Sequence, residues 1–169
     1  MNKKILISSS RIKKRLKQLA QAIDRRYCGR ELVVLGVLNG SVIFLADLIR
    51  LLKTPLSIDF LSASICSNNR STGKAVIRAC LKVDLRGKHV LLVDDILDTG
   101  DTIHSLLKFL NSHHPASIQL CVLLRKRVHR SVTIRPRFVG FDIPNHFVFG
   151  YGLDYSERFR NLPDIVYRE

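Results

Sequence analysis

The chain has 169 residues, 46% of them hydrophobic and 25% charged, the balance of an ordinary globular protein rather than a disordered or fibrous one. No apolar run approaches the roughly 18 residues of a membrane span, Ile5-Leu6-Ile7 is too short for the core of a secretory signal, and Cys28, Cys66, Cys80 and Cys121 show neither CxxC spacing nor a histidine pattern for zinc. The 28 Lys and Arg against 14 Asp and Glu leave a net charge of +14 and a pI near 10.2, which suits polyanionic ligands and permits unspecific attraction to nucleic acid.

Residues 1–169 read as a single domain, long enough to bury roughly 68–70% of the unfolded chain's surface. Ser8-Ser9-Ser10 offers a helix N-cap. Ile12, Leu16, Leu19, Ala20 and Ile23 then recur at helical spacing, Lys13, Lys14, Lys17 and Arg25 take the other face, and Tyr27-Cys28-Gly29 ends the helix. Met1 to Arg30 holds ten Lys or Arg and a single acid, Asp24. Most of these cations suit a solvated face, and no aromatic interleaving supports an RNA-stacking platform. Leu32–Leu38 is an apolar run of the kind that forms a strand buried on both faces. It closes on Asn39-Gly40-Ser41, and Val42, Phe44, Leu45, Leu48 and Ile49 open a helix. A strand, a small-residue turn and a helix make an anion seat, or simply an ordinary βα connection.

Leu56–Ile65 reads as a strand with Asp59 in its middle. The polar stretch from Cys66 to Lys74 follows, and hydrophobic residues resume at Ala75, Val76 and Ile77. The Gly73-Lys74 ending is no Walker A loop, because Asn68 stands where its first glycine must be. Val90–Val93 is a second buried strand, and it ends in Asp94 and Asp95. After Ile96 and Leu97 come Asp98-Thr99-Gly100-Asp101-Thr102, and Ile103, Leu106, Leu107 and Leu110 recur at helical spacing. In an open α/β sheet, ligands bind beyond the carboxyl ends of the strands. A turn that points backbone N–H groups inward as it opens a helix cradles phosphate. Gly100 allows close backbone approach, the hydroxyls of Thr99 and Thr102 add donors, and the acids beside the turn can hold sugar hydroxyls or a magnesium ion. Spacing alone also allows a plainer role, with Asp94 and Asp95 ending a strand and Asp98 capping the helix. Ser117–Leu124 is a further strand, running into Arg125-Lys126-Arg127. Alternating strands and helices predict an α/β domain with a mostly parallel sheet.

The string from Val93 to Thr102 closely resembles the phosphoribosyl pyrophosphate (PRPP) signature of type I phosphoribosyltransferases: two acids, two apolar residues, then D-T-G-x-T. The stretch from Phe138 to Tyr155 strongly resembles the C-terminal purine hood of the hypoxanthine-guanine phosphoribosyltransferases, bacterial type included. The resemblance covers nearly the whole chain. It implies the type I phosphoribosyltransferase fold, a mostly parallel sheet flanked by helices, with a small hood from the N-terminal segment and residues from about 125 to 169.

It also implies roles. Asp94, Asp95, Asp98, Thr99, Gly100, Asp101 and Thr102 would hold PRPP, with Asp98 as general base facing N7 of the purine. Asn39 and Gly40 would hold pyrophosphate, in a loop that relatives commonly build across a cis peptide, and Arg160 would reach the same group. Lys126 would donate to O6, Phe147 would stack on the base for roughly 1–3 kcal/mol, Val148 would read the ring edge through its backbone, and Asp154 would lie near the 2-position. Mg2+ would be held by Asp154, Asp94 and Asp95 together with the substrate's own oxygens. Ser64 and Ile65 would form the base of a lid that keeps water from PRPP. The chain departs from the pattern in three places: Asn39 where a lysine is frequent, Ile65 where a tyrosine is usual, and Arg125 where bacterial relatives often have an acid.

The implied reaction moves the 5-phosphoribosyl group from PRPP to N9 of a 6-oxopurine, hypoxanthine or guanine, releasing a purine mononucleotide and pyrophosphate. A homodimer or homotetramer, a cytoplasmic location with reduced thiols, and no specific nucleic-acid partner complete the expectation. The alternative is an RNA-binding regulatory protein on the same fold. The +14 charge invites it, but the purine hood and Asp98 speak against it.

Overall fold

The computed structural model describes residues 3–65, 75–79, 81–130 and 132–168, with the side chains of 64, 65, 75 and 76 outside that description. Six strands form the main sheet: β2 (Leu32–Leu38), β3 (Leu56–Ile65), β4 (Ala75–Ala79), β5 (His89–Leu97), β6 (Ser117–Lys126) and β7 (Phe138–Ile143). Their order is β4-β3-β2-β5-β6-β7. Every neighbouring pair is parallel except β3 with β4, so the predicted α/β class and mostly parallel sheet are observed. Among the described residues, three helices cover it: α1 (Ser9–Tyr27), α2 (Val42–Ile49) and α3 (Asp101–Asn111).

Strand side chains alternate between two cores, as a period of two requires. Leu32 and Val34 of β2, Leu91 and Val93 of β5, and Cys121 and Leu123 of β6 face Ile12, Leu16, Leu19 and Ile23 of α1 and Phe44, Leu45 and Leu48 of α2. Val33, Leu35 and Val37, Val90 and Leu92, and Leu120 and Val122 face Ile103, Leu106 and Leu110 of α3. Each fully buried aliphatic side chain contributes about 1.5–3 kcal/mol. Because both faces are covered, these strands are continuous apolar runs rather than alternating ones, which made them legible. Asp59, the lone acid within β3, accepts from the backbone N–H of Phe60 at 2.8 Å, Lys82 at 2.6 Å and Val83 at 3.4 Å. Burial works to raise its pKa, but those three donors and Lys82's charge outweigh it and hold the carboxyl below the usual range.

A second, antiparallel sheet, β1-β9-β8, was not foreseen. β1 (Lys3–Ile7) pairs along β9 (Ile165–Arg168), and β9 pairs with β8 (Val148–Phe149). The two ends of the chain thus build the predicted hood. The Ser8 cap is corrected in one respect. Ser8 does stand at the N-cap position of α1 but makes no side-chain cap bond. The backbone N–H of Ser9 donates to Asp164 Oδ1 at 2.6 Å instead, so a carboxylate just before β9 serves the positive end of the helix. At the other edge, Arg15 of α1 donates to the carbonyls of Gly140 and Val139, both at 2.8 Å, covering an otherwise bare edge strand.

Candidate active site

The carboxyl ends of β2, β5 and β6 meet under the hood, and two adjoining cavities open there. One is bounded by Gly40, Asp94, Asp95, Gly100, Thr102 and Arg160, the other by Lys126, Phe147, Val148 and Leu153. Asp95, Ile96, Asp98 and Asp154 border both. Most of the predicted site residues are therefore brought together.

β5 runs on past the predicted apolar core to Leu97, carrying both acids on the strand itself. Asp94 Oδ1 accepts from the N–H of Asp95 at 3.0 Å, and Asp95 Oδ1 from the N–H of Ile96 at 2.8 Å. Asp94 is buried, and burial together with the neighbouring charge of Asp95 pushes its pKa well above the usual range. Burial also raises Asp95, tempered by its hydrogen bonds and by the charge of Arg160.

The turn after β5 has the expected form. Gly100 takes φ +94°, a left-handed value that favours glycine, and α3 begins at Asp101. Gly100 stands at the N-cap of α3 with no side-chain cap bond, so the capping role that spacing allowed Asp98 is not the one observed among the described residues. Asp98 Oδ2 instead accepts from Lys126 Nζ at 2.6 Å, across the β5–β6 boundary. The Lys126 side chain is only 12% exposed and that of Asp98 46%. Arg130 donates through Nε to the Asp98 carbonyl at 2.7 Å, and through Nη2 to the carbonyls of Leu97, at 3.3 Å, and Lys126.

The loop after β2 contains a cis peptide between Leu38 and Asn39. It is wedged between two other elements. A Cβ on Gly40 would fall 1.7 Å from Asp95 Oδ2, and a Cβ on Gly152, whose φ is +100°, would fall 2.2 Å from the Gly40 carbonyl oxygen. Gly152 of the hood, Gly40 of the loop and Asp95 of β5 therefore stack without room for a methyl group.

On the hood, Phe147 is 58% exposed, and Tyr155 supports it edge-on with ring centroids 5.6 Å apart. Arg168 Nη1 donates to Tyr155 Oη at 3.2 Å. Val148 is buried in β8. Arg160 Nη2 pairs with Asp154 Oδ1 at 3.0 Å and with Glu157 at 2.9 Å, while its Nη1 donates to the Gly152 carbonyl at 2.9 Å. Asp101 and Thr99 are exposed at the rim. Ser64 and Ile65 end β3 opposite Val76 and Ala75, which agrees with a strand pair at the base of the expected lid, whereas residues 66–74 lie outside the described residues. Among the described residues, no three His, Cys, Asp or Glu gather as a metal site. Asp94, Asp95 and Asp154 thus form no such cluster.

Sequence reasoning missed Arg130, Gly152 and Glu157. Arg130 was hidden in a basic run, and the other two acquire their parts only when the hood folds back on the loop after β2.

A mostly parallel sheet with a glycine turn opening a helix after one strand, paired acids at that strand's end and a hood over both is the architecture of a pentosyl-phosphate transferase. The sequence profile of the phosphoribosyl transferase domain matches residues 4–156, and the chain belongs to that family. Within it, the chain is similar to the hypoxanthine phosphoribosyltransferase of Salmonella typhimurium, at 42% identity over 94% of this chain and 91% of that one. A crystal structure of a hypoxanthine-guanine phosphoribosyltransferase from Bacillus anthracis, with a HEPES molecule in its active site, superposes with a TM-score of 0.93 at 41% identity, covering 98% of each chain. The hypoxanthine phosphoribosyltransferase of Trypanosoma cruzi in complex with the product IMP superposes with a TM-score of 0.91 at 37% identity, covering 98% of this chain and 93% of that one.

Proposed function

We propose that this chain is a purine-salvage enzyme that transfers the 5-phosphoribosyl group of PRPP to N9 of hypoxanthine or guanine. The observation that carries the reading is the Lys126–Asp98 pair facing Phe147 beside the turn from Thr99 to Thr102. It sets a cation for a carbonyl oxygen, a carboxylate for a ring N–H and an aromatic face for a purine next to a phosphate seat.

The backbone and hydroxyls of the turn from Thr99 to Thr102, with Asp101, hold the 5-phosphate, and Asp94 and Asp95 accept from the ribose hydroxyls. Asn39, Gly40 and Arg160 hold the pyrophosphate. Asn39 brings no charge, so Arg160 carries more of that task than in a loop with lysine. Lys126 donates to O6, Phe147 stacks on the ring, and Val148 and Asp154 border its 2-position. As N9 bonds to C1 of the ribose and the bond to pyrophosphate breaks, Asp98 accepts the proton the ring gives up at N7. Asp94, raised by burial and by the neighbouring charge of Asp95, and Asp95, raised by burial, form a site short of positive charge, and the hard oxygens of Asp94, Asp95 and Asp154 suit Mg2+. When bound, the metal supplies neutralisation of the departing pyrophosphate. Ser64 and Ile65 anchor a lid over the reacting atoms. Homodimeric or homotetrameric assembly and a cytoplasmic location follow the resemblance, and no helix among the described residues is long and apolar enough to cross a membrane.

The test is nucleotide formation from PRPP and magnesium with hypoxanthine, guanine, xanthine and adenine. Product is expected from hypoxanthine or guanine and none from adenine. Failure with all three 6-oxopurines would refute the reading.

A further inference from the structure

Six cations crowd between Arg125 and Arg137, and Arg130 is distinguished by where its guanidinium goes. The parallel ladder between β5 and β6 ends with Leu97 opposite Arg125. One residue further along stand Asp98, just past the end of β5, and Lys126, the last residue of β6, the two side chains that meet at 2.6 Å. Nothing in the ladder fixes the separation of the strands at that step. Arg130 does so: Nε donates to the Asp98 carbonyl at 2.7 Å, and Nη2 donates to Leu97 O at 3.3 Å and to Lys126 O. A guanidinium is a rigid planar fork of N–H donors, so three carbonyls bound to one fork are held in one arrangement. The fork also ties Arg130 back to the carbonyl four residues before it.

We infer that Arg130 is a positioning residue for purine recognition, clamping the main chain of Asp98 and Lys126 so that both side chains address the same edge of one base. The inference rests on the proposed transferase reading and deepens it. Arg130 neither lines the two cavities nor meets the reacting atoms. Its effect passes through the backbone of two residues that do. Lysine cannot replace it, because a single ammonium offers a point of charge and no planar fork.

The experiment compares wild type, Arg130→Lys and Arg130→Ala by steady-state kinetics with purine and PRPP varied separately, each corrected for the folded fraction found by thermal melting. In both variants the purine KM should rise about tenfold or more and kcat should fall about 10–100-fold, the scale set by misplacing reacting groups by about 1 Å. The PRPP KM should change less than about threefold, and the preference for hypoxanthine over adenine should narrow. A merely structural role would lower the melting temperature and leave the KM values of the folded enzyme unchanged, or would raise both KM values alike. Either result would overturn the inference, as would an Arg130→Lys enzyme with wild-type purine KM and kcat. Should Arg130→Ala fail to fold, Arg130→Lys, which keeps the charge and the aliphatic stem, decides the matter alone. Wild-type protein that forms no nucleotide from any 6-oxopurine would overturn the parent reading as well, a result distinct from active wild type with indifferent variants.

Discussion

Gly40→Ala is the sharpest test of how the site is assembled. The new methyl carbon would lie 1.7 Å from Asp95 Oδ2 and 2.7 Å from its Cγ. Ordinary contact begins near 3.4 Å, so the carboxylate must retreat by roughly 1.7 Å or the loop must lift by as much. The loop cannot lift freely, because Gly152 lies on its far side with a Cβ position only 2.2 Å from the Gly40 carbonyl oxygen. Asp95 therefore yields, straining its rotamer at about 0.5–1.5 kcal/mol and loosening the 2.8 Å hydrogen bond from Ile96. The stability cost is small, but a group displaced by more than about 1 Å loses on the order of 10²-fold in rate. We expect kcat/KM for PRPP to fall about 100-fold or more. Gly29→Ala is the control: the residue has φ +69° with nothing within 4 Å of its Cβ position, so it should cost roughly 1–2 kcal/mol of stability and no activity. Steady-state kinetics beside thermal melts decide. Gly40→Ala with a wild-type PRPP KM and kcat would refute the stacking of Gly152, Gly40 and Asp95 as the frame of the site.

Asp98→Asn should lower kcat by roughly 10²–10⁴-fold with little change in PRPP binding measured by calorimetry; near-full kcat would remove Asp98 as the base. Lys126→Ala should raise the purine KM steeply and weaken the rejection of adenine, since a site built for O6 otherwise leaves polar groups unpaired; an unchanged KM in initial-rate assays would place O6 elsewhere. Asp59 bears on stability rather than catalysis. Its folded pKa is depressed, so its contribution is complete above the unfolded value of about 3.9 and is lost as pH falls through the lower folded value. Asp59→Asn should thus lower the melting temperature at pH 7 and narrow the gap to wild type as pH drops below about 4; a gap that widens in acid would reverse the sign and the argument.

The sheet was legible because β2, β5 and β6 are buried on both faces and their sequences are nearly unbroken apolar runs. The turn after β5 was legible because Asp98-Thr99-Gly100-Asp101-Thr102 gathers its small and polar residues in one contiguous run. β1 and β9 were not, since each is five residues or fewer and Lys3 finds its partner in Arg168, at the opposite end of the chain. No local period announces such a pairing. Asp164 replaced the serine side chains at the start of α1 for the same reason, as a competitor distant in sequence that only the closed hood brings near. Phe147, ordinary by composition, became informative through the long match around it. Arg130 and Gly152 act on backbone atoms of remote segments, and a backbone partner leaves no mark on residue type.

The Lys126–Asp98 contact sets the terms on which the proposed base site admits a ligand. With the two side chains 2.6 Å apart, each occupies the other's place for a ligand, so the pocket carries its own placeholder. On the proposed reading, entry of a base is an exchange in which one internal bond is given up for two external ones. A visitor that satisfies only the cation strands a carboxylate, and one that satisfies only the carboxylate strands a nearly buried ammonium, a costly state. Fragments with half the required edge should be excluded out of proportion to the contacts they lack. On the proposed reading, such a pocket rejects simple anions and admits a ring with an acceptor and a donor side by side.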